Sequence, residues 1–161
     1  KYGVEGEPRQ CLRLSEAYLN RAEAYAQMPD KSAEALSDLN ELRKKRIEGY
    51  EDVNITDPVA LLDTIRKERR LELCFEGHRW FDLRRYAVNS IHPLPDNFTI
   101  RHRNNAYEAN SRTWYENGYY ELNAYTQDRA AWIIPIPNYA IEFNRGELQN
   151  EIRPNRELQR D

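Results

Sequence analysis

The sequence predicts a mainly α-helical protein. Paired helices come first, then a long loop excursion carrying a small β-hairpin, then an irregular C-terminal segment. Three observations carry this expectation. Apolar residues recur at helical spacing from Cys11 to about Ala87. Beyond Asn89 that period disappears: Pro93 and Pro95 break regularity, and residues 92–117 are polar, rich in Asn and Arg. Asn117-Gly118 then stands between two aromatic runs, a strong turn signal, and Pro135 and Pro137 interrupt the last apolar stretch. One domain is expected over 1–161, divided into a helical part (11–90), the loop and hairpin (91–130), a C-terminal motif (131–150) and a fraying tail (151–161).

The first helix is read from Cys11 to Gln27, with Leu14, Tyr18, Ala22, Tyr25 and Ala26 on its apolar stripe. Pro8 suits its approach, and Met28-Pro29-Asp30 ends it. Asp30 is expected to cap a second helix from Ser32 to about Arg46, whose stripe is Ala35, Leu36, Leu39, Leu42, Arg43 and Ile47. So short a break implies an antiparallel pair, and Ala17, Ala22, Ala24 and Ala26 allow close approach. The pair looks like one tetratricopeptide-type unit, and a single copy does not make a solenoid. Residues 49–57 read as a linker. Thr56-Asp57-Pro58 is a strong helix start, and a third helix runs through Leu61, Leu62 and Ile65 to about Phe75. Gly77 permits a stop, and Arg79–Ala87 forms a fourth helix that offers Trp80, Phe81 and Leu83 to the core. Thr113-Trp114-Tyr115 and Tyr119–Leu122 are expected to pair across Asn117-Gly118. Trp132-Ile133-Ile134 is a short extended segment. Pro137 opens a last helix through Phe143, which Asn144 ends in a left-handed turn.

Charge and composition exclude several function classes. The chain holds 24 Lys+Arg against 27 Asp+Glu, a net charge of -3, and so lacks the positive excess of a nucleic-acid binder. Its longest run without a charged or strongly polar residue, Ala130–Pro137, is far shorter than a membrane span, and Lys1-Tyr2-Gly3-Val4-Glu5 is no secretory signal. Cys11 and Cys74 read as small apolar helix residues, not as a bridge. His78, His92 and His102 have no metal-ligand spacing, so neither a metal site nor a cofactor is expected. The 11 Tyr and 3 Trp supply buriable surface for a modest, aromatic-rich core. Arg outnumbers Lys 19 to 5, which favours networked ion pairs, because the planar guanidinium can grip a carboxylate at two points.

The most informative stretch is 65–85. Glu68, Glu72 and Glu76 lie four apart on one helical face, and Arg69 adjoins Glu72 and Glu76 at helical spacing. Paired-carboxylate catalysis needs one acid with a raised pKa, yet every Glu here has Arg neighbours that favour the ionised form. The Glu-x-x-His pattern of a di-iron bundle is absent. Seven Arg/Lys against four Asp/Glu over 66–85 make only a weak basic patch. The expected role of Glu68, Arg69, Glu72, Glu76, Arg79 and Asp82 is therefore a structural ion-pair network beside Trp80 and Phe81, with no catalytic residue among them.

These residues also carry a family resemblance. The run Glu68-Arg69-Arg70-x-Glu72-Leu73-x-Phe75-Glu76-Gly77-x-Arg79-Trp80-Phe81-Asp82-Leu83-x-Arg85 resembles the signature of the SusD/RagB family. Leu12–Ala24 and Leu39-Asn40-Glu41-Leu42-Arg43 are similar to the helices that precede it in that family. Trp132-x-x-Pro135-Ile136-Pro137, followed by Asn144 and Leu148-Gln149-Asn150, is similar to its C-terminal signature. The resemblance implies a surface-exposed, outer-membrane nutrient-binding lipoprotein of Bacteroidetes-type bacteria. Such a protein has no catalytic activity and no cofactor. It passes an oligosaccharide or other nutrient to a SusC-like TonB-dependent transporter, and meets the membrane only through a lipid anchor. Members are longer and begin with a signal peptide and a lipidated Cys, so this chain is expected to be the C-terminal portion of one. The competing reading is a cytoplasmic tetratricopeptide-type interaction module, which has no use for the Trp-x-x-Pro-Ile-Pro block.

Sugar platforms pair exposed aromatic faces with Asn, Asp and Arg, a mix found in Tyr107–Tyr125. Trp114 and Tyr115 are the expected ligand contacts. As strand neighbours they point to opposite sides, so one is expected to pack and the other to face out. The alternative use of the same rings is to cover the helices through cross-strand aromatic pairs.

Overall fold

A computed structural model describes residues 13–144 and 147–160. The chain divides into two compact units, one ending at Asp82 and the other beginning at Leu83. Among the described residues there are five α-helices and one two-stranded antiparallel sheet, so the protein is mainly α-helical with a small hairpin. Among the described residues, no helix is long and apolar enough to cross a membrane.

The first unit is built on α1 (Leu14–Ala26), α2 (Ser32–Lys44) and α3 (Pro58–Glu72), which pack on one another. Its core is Ala22, Ala26, Ala35, Leu39, Leu61, Leu62 and Ile65, with Tyr25, Leu36 and Ile55 at the margin. Alanines on α1 and α2 bring the two helices close, and the larger side chains of α3 fill the seam. Each buried Leu or Ile contributes roughly 1.5–3 kcal/mol. The stripe on α1 is rotated from the expected one: Leu19 is buried and Leu14 faces solvent. On α2, Ile47 lies past the helix end and is exposed.

Helix starts follow local chemistry unevenly. Asp57 accepts a hydrogen bond from the Ala60 amide at 2.7 Å, and Pro58 opens α3, as the sequence indicates. Asp30 does not cap α2. It occupies a left-handed conformation (φ 60°), and Lys31 stands at the cap position without a side-chain bond. The linker after α2 is tied down by the buried Asn40. Its Oδ1 accepts from the Tyr50 hydroxyl (2.7 Å) and the Val53 amide (3.2 Å), while its Nδ2 donates to the Val53 carbonyl (3.1 Å). After α3 the chain reverses through Phe75 (φ 65°) and Gly77 (φ 84°) into α4 (His78–Ala87), which crosses the division between the units. Phe81 is exposed on α4, not part of the core. Cys74 is a free, exposed thiol in that turn and does not lie on a helix, and the expectation for Cys11 falls outside the described residues.

The second unit departs most from the sequence reading. Its hairpin pairs β1 (Ile100–Glu108) with β2 (Thr113–Leu122), so the segment 92–117 is not all loop. The two aromatic runs expected to face each other lie end to end on β2. The turn falls at 109–112, where Arg112 adopts φ 53°. Asn117-Gly118 instead forms a bulge, two residues opposite Asn104 between the pairs Arg103↔Tyr119 and Asn105↔Glu116. Gly118 sits at φ 116°, and a Cβ there would lie 2.1 Å from the Gln159 carbonyl oxygen. Glycine is required because the C-terminal segment runs against β2 at this point.

Further contacts hold that segment against the unit. Tyr119 and Gln159 exchange both backbone hydrogen bonds at 2.9 Å, and Arg156 reaches the Asp128 carboxylate and the Glu121 carbonyl. Trp132, fully buried at the end of a short 3-10 turn (Arg129–Trp132), donates from Nε1 to the Asn123 carbonyl at 2.8 Å and packs near Phe98 and Tyr125. The last helix, α5 (Asn138–Phe143), ends at Asn144 with φ -85°, not in a left-handed turn.

Candidate functional site

Two arrangements carry the polar and aromatic side chains that function could use. In the first unit, guanidinium groups from separate helices converge on the carboxylates of α3 and α4. Arg13, at the start of α1, grips Glu76 (2.9 and 3.0 Å) and reaches both the carboxylate (3.0 Å) and the carbonyl (2.7 Å) of Glu72. Arg46, just past α2, donates to the same Glu72 carboxylate at 2.9–3.2 Å. The start of α1 and the end of α2 thus meet at one anion, as an antiparallel pair requires. Arg43 bonds Glu68 at 2.8 Å. Arg69 is buried, donates to both oxygens of buried Asp82 at 2.8 and 2.9 Å, and donates to Asn20 at 2.7 Å. Arg79 lies exposed on the first turn of α4.

These long-range partners are not ones that i, i+3 and i, i+4 spacing reveals. Arg13, Arg43, Arg46 and Asn20 come from elsewhere in the chain, and the only hint of them in the sequence is the excess of Arg over Lys. The arrangement fixes Glu72 in its ionised form. The hydrogen bonds from Arg46, joined by the charge of Arg13, hold the Glu72 carboxyl down at about 2 against the opposing effect of burial. That is the reverse of what a general acid needs.

In the second unit, one face of the hairpin carries Tyr107, Asn105, Arg103 and Arg101 from β1 beside Trp114, Glu116, Tyr119 and Glu121 from β2. Tyr107 and Trp114 are directly opposite, with ring centroids 5.3 Å apart and planes at 53°. Further along, Arg101 lies 4.4 Å over the Tyr119 ring and 2.9 Å from Glu121, and Arg103 is 3.6 Å from Glu116. Trp114 is 72% exposed and Tyr115, on the other face opposite Ala106, is 49% exposed. Neither ring packs away, contrary to the expectation that one of them would. A two-stranded ribbon has no second layer of its own to bury a face.

Behind the base of β2 a cavity of about 330 Å³ opens toward the C-terminal segment, lined by Glu121, Asn123, Gln127, Asp128, Asn155 and Gln159 among others. Its walls are set by the Arg156 and Gln159 bonds described above. Asn150 clasps the preceding block in the same manner: Oδ1 accepts from the Ile136 amide (2.7 Å) and Nδ2 donates to the Ile136 carbonyl (2.9 Å). The two separated parts of the C-terminal motif, Pro135-Ile136-Pro137 and Leu148-Gln149-Asn150, are therefore in direct contact. Sequence reasoning missed the cavity, whose residues fall in two separate and mostly polar stretches, 121–128 and 154–159.

A model of the SusD family matches residues 2–152. Among characterised proteins, the chain is similar to SusD-like protein P2 of Formosa agariphila, 32% identical over 98 residues. That stretch covers 53% of this chain and 19% of the relative. It is also similar to SusD-like protein P38 of the same organism, 38% identical over 91 residues, covering 52% of this chain and 18% of the relative. The match thus spans about a fifth of the length of these relatives. No solved structure gives a significant match.

Proposed function

Because the chain belongs to the SusD family, we propose that it is part of a non-catalytic nutrient-binding protein on the outer face of a bacterial outer membrane. It takes up an oligosaccharide and passes it to a SusC-like TonB-dependent transporter. The observation that carries this reading is the open aromatic face of the hairpin. Tyr107 and Trp114 offer ring surface to a pyranose, with Asn105 and Arg103 beside them as hydrogen-bond partners. Tyr115 offers a second contact on the reverse face. In the same reading Glu68, Arg69, Glu72, Glu76, Arg79 and Asp82 hold the helices and touch no ligand.

Affinity electrophoresis of the full-length parent through gels containing candidate glycans tests this proposal, together with a reducing-end assay. Retardation without new reducing ends is the expected result, and release of sugars would overturn it. Trp114→Ala should weaken retention about 5–10-fold, the effect of losing one well-placed aromatic contact. Because the ring is exposed, the same change should leave stability within about 0.5 kcal/mol.

A further inference from the structure

We propose that the cavity behind β2 is a second binding site. It holds one uncharged, hydroxyl-rich ring of sugar size and discriminates against acidic ligands. Its volume of about 330 Å³ stands at the low end of small-ligand sites, enough for a single ring.

The lining selects the chemistry. Asn123, Gln127, Asn155 and Gln159 are among the lining residues, and each carries a side-chain amide with donors and an acceptor. Hydroxyl groups likewise donate and accept, so every amide finds a complement. An ammonium ion only donates and would leave the amide N–H groups unmatched. Gln127 already donates one Nε2 hydrogen to the Asp96 carbonyl at 3.0 Å, which leaves its oxygen and its second N–H to meet a hydroxyl.

Charge separates neutral from ionic ligands. Glu121 is paired with Arg101 at 2.9 Å and Asp128 with Arg156. Neither carboxylate is an open seat for a cation, yet both keep lone pairs for hydroxyl protons. Within the lining, Glu121, Asp128 and Glu157 stand against the single guanidinium of Arg156, which is itself engaged. A uronate or sulfate would find no uncommitted cation and a surplus of negative charge. The wall is preorganised, because Arg156 and the Tyr119–Gln159 pair fix the C-terminal segment before any ligand arrives.

This inference deepens the nutrient-binding reading and rests on it for the ligand class, but it concerns a different place on the chain. The test is a nitrogen-15 NMR titration of the whole chain with D-glucose, D-galactose and sodium D-glucuronate. The neutral sugars should move the side-chain amide signals of Asn123, Gln127, Asn155 and Gln159 with millimolar affinity, and glucuronate should not. Gln127→Leu and Asn155→Leu, each checked for an otherwise unchanged spectrum, should weaken that binding about 5–10-fold. Equal shifts from glucuronate would overturn the proposal, and so would neutral sugars that leave all four amides unmoved. If the neutral sugars moved only the Trp114 indole signal, the cavity would fail as a site while the hairpin platform stood.

Discussion

Arg69 and Asp82 are both buried and pair through two hydrogen bonds, and the guanidinium also donates to Asn20 and lies 3.9 Å from Glu16. Removing one partner strands a charge in the core, so Asp82→Ala should lower stability by about 3–5 kcal/mol. Urea denaturation should show the double change Arg69→Met with Asp82→Leu costing less than either single change, because it leaves no orphan charge. Glu72 gives a pH-dependent counterpart. Its folded-state pKa is depressed to about 2, so its contribution is fully present above the ordinary carboxyl value and lost as pH falls through about 2. After allowance for solvent around Arg46, that contribution is about 1–2 kcal/mol. Thermal melts from pH 6 down to 2.5 should lose their steepest acid dependence in Glu72→Gln. At this scale the sequence named the carboxylates but not the guanidinium groups that the structure places beside them. Helical spacing reports neighbours on one helix, whereas Arg13 is 59 residues from Glu72 and Arg46 is 26.

The hairpin shows how a correct local signal can support the wrong element. Asn-Gly is favoured wherever a positive φ is needed, in a two-residue turn and in a bulge alike, and the sequence does not say which. What decides here is β1, whose Ile100–Glu108 run is polar on both faces and so leaves no alternation to find. By contrast, Asp57-Pro58 admits one use and the start of α3 was legible from it. Gly118→Ala should cost roughly 1–3 kcal/mol, since the new Cβ meets both a positive φ and the Gln159 carbonyl. Hydrogen exchange at the Tyr119 and Gln159 amides should rise in that variant, while β1–β2 pairs near Tyr107 keep their protection.

The whole molecule combines two kinds of closure. The first unit joins neighbouring helices, and its contiguous core cluster lies between Ala22 and Ile65. That part of the fold was readable from periodicity because each helix announces its own apolar stripe. The second unit depends on the C-terminal segment returning to β2, a contact between Tyr119 and Gln159 that no local pattern encodes. Removing Ile152–Asp161 should therefore raise hydrogen exchange at Tyr119 and Ala124 and leave Leu39, Leu61 and Ile65 protected. The same feature sets an order of events during synthesis. The helical unit has all its residues once Asp82 clears the ribosome. The clasp on β2 waits for Gln159, roughly 75–80 residues later, or about 4–15 s at ordinary elongation rates. From the emergence of Leu122 until Gln159 follows, β2 presents an open edge, and the burden of keeping it from pairing elsewhere falls on the charged side chains of Glu116 and Glu121 and on the kink at Gly118.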